Sequence, residues 1–92
     1  MSPTAASTVR PEREPAACFS VHAEAAPEIM PRVLELFAKR GVVPTSWISR
    51  VVGCDLTIDL QICGLDREAV GYIARCLRQI VGVDIVLTSE KR

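Results

Sequence analysis

Four cysteines and one histidine are the residues of this 92-residue chain best suited to metal or nucleophilic chemistry. Cys18, Cys54, Cys63 and Cys76 include no pair at the C-x-x-C spacing that zinc and redox motifs use. His22 stands alone, so a metal or catalytic role would need cysteine or carboxylate partners from elsewhere in the fold. The one grouping open to it is Cys18, His22 and Cys63, should their strands be neighbours. The plainer reading is stronger: cysteine is a common half-buried residue, and a single strand histidine is ordinarily a surface or interface group. No metal, no cofactor and no catalytic constellation is expected, and the chain reads as non-enzymatic.

The elements that carry these residues follow from hydrophobic periodicity. Phe19, Val21 and Ala23 alternate with Ser20, His22 and Glu24, as in a half-buried strand. Ile29, Val33, Leu36 and Phe37 recur at helical spacing, with Met30 and Leu34 widening the stripe. Pro27 and Pro31 bracket the helix start. A helix beginning at Pro27 would put Pro31 inside it, so the start is expected near Met30 or with an irregular first turn. Lys39 and Arg40 suit the negative end of the helix, and Gly41 ends it.

A second strand covers about Thr45 to Val52, with a turn at Gly53, Cys54 and Asp55. In the third strand Leu56, Ile58, Leu60 and Ile62 face one way, and Thr57, Asp59, Gln61 and Cys63 the other. One sheet face is therefore dry and one is not. Asp66 caps a second helix with Val70, Ile73, Ala74, Leu77, Ile80 and Val81 as its apolar stripe, and Gly82 stops it. Val83, Ile85 and Leu87 form the last strand. The order βαββαβ predicts an α+β, ferredoxin-like sandwich: a four-stranded antiparallel sheet, order 4-1-3-2, with two helices on its dry face. Residues 17–90 make this domain, and residues 1–16, with three prolines and no periodicity, are expected to be a disordered tail.

Composition narrows the partners. Cations and carboxylates balance at formal net charge zero, which argues against duplex nucleic acid and favours self-association. No stretch reaches the length of a membrane span, and the N-terminus carries no apolar leader, so a soluble cytoplasmic protein with free thiols is expected. In the order 4-1-3-2 the second strand is an edge. Trp47, Ile48 and Val51 on it invite pairing with another sheet, and a homodimer is the simplest cover. Trp47 packing under the first helix remains equally open. Other users of this fold are disfavoured by their requirements. The first loop, Glu24-Ala25-Ala26-Pro27, has neither the cysteine pair of a heavy-metal chaperone nor the basic group of an acylphosphatase. The open strands lack the aromatics on which RNA bases stack.

From Phe19 to about Thr88 the chain resembles ACT domains, and among them the short, one-domain small regulatory subunit of acetolactate synthase. The likeness rests on Pro27-Glu28 opening the first helix, Arg32-Val33-Leu34 within it and Arg40-Gly41 closing it. It rests also on the alternating strand from Leu56 to Ile62 and the junction from Leu77 to Ile85. The resemblance implies a domain that dimerises by joining sheets, binds a catalytic subunit and modulates it, with thiamine diphosphate and flavin belonging to that subunit. It implies an amino-acid site at the first loop, with Ala26, Pro27, Glu28 and Ile29 as candidate positions and Gly41 at the helix end. Where many ACT domains place Asn and Gly around the proline, this chain has Ala26 and Glu28, and Glu28 sets an anion close to where a ligand carboxylate would dock. Binding and modulating a biosynthetic enzyme, acetolactate synthase of branched-chain amino acid synthesis, is the leading implication. A stand-alone dimeric amino-acid-sensing module is the alternative.

Overall fold

Strict alternation makes residues 55–63 the spine of the sheet. In the computed structural model, which describes residues 15–91, Leu56, Ile58, Leu60 and Ile62 are all buried. They lie on a strand, β3 (Asp55–Cys63), paired on both sides, with β2 (Ser46–Val52) on one flank and β1 (Ala16–Glu24) on the other. The last strand, β4 (Val83–Lys91), pairs with β1, giving the antiparallel order β2-β3-β1-β4. This is the expected 4-1-3-2 order read from the other edge. Most of the expected tail, residues 1–14, lies outside the described residues.

Two helices cover the dry face. Helix α1 (Ile29–Lys39) buries Ile29, Val33 and Phe37, and α2 (Arg67–Arg78) buries Ile73, Ala74 and Leu77. The Phe37 ring meets Phe19 of β1 edge-on, with centroids 5.7 Å apart. Asp66 caps α2, its Oδ1 accepting from the Ala69 amide at 2.7 Å. Helix α1 ends in a Schellman arrangement: Gly41, at φ +73°, donates to Ala38 O, and Val42 donates to Phe37 O.

The first helix starts at Ile29, which resolves the problem posed by Pro31. The proline sits in the first turn, where an amide would have no intrahelical acceptor. Two stripe residues fall outside the core. Leu34 is about half exposed on the outer face of α1, and Val81 lies in the turn beyond the end of α2, almost fully exposed.

β4 departs further from simple alternation. His22 pairs with Ile85 but Ala23 with Val83, so Asp84 is an extra residue. This bulge inverts the phase of the strand. Val86 joins the core opposite Val21, while Ile85 and Leu87 turn to the open face, each about half exposed.

Candidate functional site

Three connections meet at one end of the sheet. The loop from β1 to α1 is held to both others by backbone bonds. The Glu24 amide donates to Gly82 O in the α2–β4 turn, and the Ala25 amide donates to Cys54 O in the β2–β3 hairpin, both at 2.9 Å. Within the loop, Ala26 donates to Glu24 O, and Ile29 to Ala26 O. The loop is thus a fixed surface, with Pro27 and Glu28 exposed and Ala26 half-buried against the core.

Of the candidate ligand positions, Ala26, Pro27 and Glu28 form that surface. Ile29 is fully buried, so only its backbone faces the loop. Gly41 sits beyond the opposite end of α1, an 11-residue helix of about 16 Å, and does not share a pocket with the other four. Pro27 and Pro31 have no amide hydrogen, and the Ile29 amide is taken. Glu28 and Met30 are left as the amides at the helix start without a backbone acceptor among the described residues. The Glu28 carboxylate makes no capping bond and stands at the positive end of the helix, where an incoming anion would have to compete with it.

Gly82 is the residue of this region that its sequence pattern announced only as a helix stop. It has φ +99°, and a Cβ there would fall 2.9 Å from Ile29 Cδ1 and 2.9 Å from Glu24 Oε2. Only glycine lets the α2–β4 turn approach the first loop this closely.

The edge strand β2 carries the expected interface residues, though on two faces. Trp47 and Val51 lie on the helix side, opposite Leu60 and Leu56, and Trp47 packs half-buried against the core. Ile48 lies on the open face, opposite Asp59. Ile48, Val51 and Val52 are each more than half exposed. What the three named residues share is the strand edge and not a common patch.

On the open face, Ser20 Oγ lies 3.2 Å from His22 Nε2. His22 is opposite Thr57, Cys18 opposite Gln61, and Cys63 opposite Ala16. His22 is therefore four residues along β1 from Cys18, roughly 13 Å, and the three do not converge. No group of three such ligands forms among the described residues. A shallow trough of about 420 Å³ runs over this face, with Cys18, Ser20, Asp59 and Gln61 in its floor and Ile48 and Leu87 as its walls. No described helix is long and apolar enough to cross a membrane.

Two helices on one face of a four-stranded antiparallel sheet, in the order βαββαβ, define a ferredoxin-like fold. The chain belongs to the ACT-like domain family, whose model matches residues 10–91. Among solved structures it is similar to the ACT domain of the GTP pyrophosphokinase of Chlorobium tepidum. That match has 14% identity and a TM-score of 0.73, and covers 83% of this chain and 99% of that one. An uncharacterized protein of Thermotoga maritima matches at 20% identity and a TM-score of 0.70, covering 86% and 99%. The regulatory subunit of aspartate kinase from Thermus thermophilus matches at 16% identity and a TM-score of 0.63, covering 80% of this chain and 50% of that one. At these identities the likeness is one of fold. No curated protein sequence matches the chain.

Proposed function

We propose that this chain is a non-catalytic, cytoplasmic regulatory domain that dimerises through β2 and modulates a biosynthetic enzyme. The sequence resemblance makes the catalytic subunit of acetolactate synthase the partner to test. The observation that carries the reading is the uncovered β2 edge, with Ile48, Val51 and Val52 exposed beside free strand backbone. Membership of the ACT-like family supports it, as do two structural neighbours named as regulatory or as ACT domains of larger enzymes. Ala26, Pro27 and Glu28 form the proposed ligand surface, with the Ile29 backbone behind it.

Val51→Lys puts a charge at the proposed two-sheet junction while leaving the core intact. Sedimentation equilibrium is expected to show a dimer for the parent and a monomer for the variant, with unchanged circular dichroism. A dimeric variant, or a monomeric parent at micromolar concentration, overturns the β2 interface.

The regulatory role is tested by adding the chain to the acetolactate synthase catalytic subunit, where a saturable change in rate is expected. No change at saturation removes that enzyme as the partner. A thermal-shift screen with the twenty amino acids tests the loop. A ligand at 100 times its dissociation constant adds about 2.7 kcal/mol, a shift of roughly 10 °C or more in a domain this small. A shift confined to valine, leucine or isoleucine supports feedback sensing, and a flat screen places the weight on protein–protein regulation.

A further inference from the structure

The helix layer carries a feature that neither the loop nor the β2 edge uses. Tyr72 of α2 is half exposed, and two guanidiniums lie over its ring: Arg40 Cζ at 5.4 Å from the centroid and Arg75 Cζ at 5.9 Å. Neither arginine has a carboxylate within ion-pair distance among the described residues, where the ion pair present is Lys39 with Glu35 at 3.8 Å. With no ion pair or hydrogen bond of their own among the described residues, both guanidiniums keep their N–H groups available to a planar anion. Two like charges are thus gathered at one ring with their forks unused.

The surroundings say what kind of anion fits. A hollow of about 320 Å³ between the helices has an apolar floor of Leu36, Ile73 and Cys76, with Lys39, Arg40 and Tyr72 around it and no carboxylate in its lining. A second hollow, of about 280 Å³ and also bordered by Tyr72, includes Arg40 and Arg75 but also Asp66 and Glu68. Asp66 is engaged in capping α2. Across residues 28–41 and 66–79, six Lys and Arg stand against four Asp and Glu, in a chain that is neutral overall. Tyrosine and arginine are also the residue types that dominate binding energy at protein interfaces.

We propose that the Arg40–Tyr72–Arg75 cluster docks an acidic segment of a partner protein, an apolar anchor entering the hollow over Leu36 and Ile73 and flanking carboxylates pairing with the two guanidinium forks. This rests on the reading of the chain as a partner-binding domain and names a surface separate from the β2 edge and the first loop.

The test needs no enzyme, so its outcome is independent of whether acetolactate synthase is the partner. The full ¹⁵N-labelled chain is titrated with a blocked pentapeptide, a central leucine flanked by two glutamates on each side, and amide shifts are followed. Saturable shifts confined to the amides around Arg40, Tyr72 and Arg75 are expected, weakening as salt is raised. The double variant Arg40→Gln/Arg75→Gln, its fold checked by spectral dispersion, is expected to bind at least ~10-fold more weakly, the loss of two charge-assisted contacts. Arg50→Gln, on the opposite face of the sheet, is expected to bind as the parent does. Absence of saturable shifts, unchanged affinity in the double variant, or inorganic phosphate binding as tightly as the peptide would each overturn the proposal.

Discussion

Phe37→Ala is expected to remove about 3–5 kcal/mol of stability, the usual cost of emptying an aromatic site in a closed core. The described domain is small, and marginal stability for its size is about 4–12 kcal/mol, so this one change consumes a large part of the total. Phe37 is fully buried and has Phe19 edge-on at 5.7 Å, which ties α1 to the middle of β1. Its carbonyl also accepts from Val42, so the same residue anchors the end of the helix. Other members of the same core, among them Val33, Ile58 and Leu77, have no exposed surface. Such a site cannot collapse to fill the void. Urea unfolding of the variant should show a strongly lowered midpoint with little change in slope. Leu34→Ala, on the outer face of the same helix, should lose under about 1 kcal/mol. Comparable losses at the two positions would contradict the assignment of Phe37 to the core and Leu34 to the surface.

The core was legible because its residues repeat with the period of the element that holds them. Leu56, Ile58, Leu60 and Ile62 alternate, and all four are buried. The stripe Ile29, Val33 and Phe37 likewise faces inward. The caps could be read as well, since Asp66 and Gly41 act through their own backbone and short side chains. Legibility ended where one element's conformation depends on another's. The sequence of β4 shows apolar residues at 83, 85, 86 and 87 and does not mark which phase is buried. A bulge at Asp84, visible only against β1, selects Val86 for the core.

The same limit applies to the candidate site. Pro27, Glu28 and the helix start could be anticipated from local chemistry, whereas the pinning of the loop to Cys54 and Gly82 joins residues far apart in the chain. Gly41 and the Ala26–Ile29 segment, paired by family resemblance, are separated by the length of a helix. Tyr72 and Arg75 lie at the i, i+3 spacing that brings helical side chains together. Arg40 reaches the same ring from the other helix, a meeting no local pattern announces.

Gly82→Ala combines two penalties and is expected to cost about 2–4 kcal/mol, from positive-φ strain and overpacking together. The backbone at 82 has φ +99°, which disfavours any L side chain. The new methyl would also fall 2.9 Å from both Glu24 Oε2 and Ile29 Cδ1. Glu24 can swing its exposed carboxylate away, whereas Ile29 is fully buried and its Cδ1 yields only by disturbing the core around it. Lifting the turn from the loop relieves the contact and is the expected response, stretching the bond from the Glu24 amide to Gly82 O. Gly53→Ala separates the two effects, because Gly53 has φ +63° with no atom within 4 Å of an added Cβ. It should cost only the conformational part, about 1–2 kcal/mol. Hydrogen exchange supplies the local readout: the Glu24 and Ala25 amides should lose more protection in Gly82→Ala than its global destabilisation alone explains, and not so in Gly53→Ala. Equal costs and equal protection in the two variants would mean that the α2–β4 turn does not hold the first loop. The proposed ligand surface at Ala26, Pro27 and Glu28 would then have no rigid support from that side.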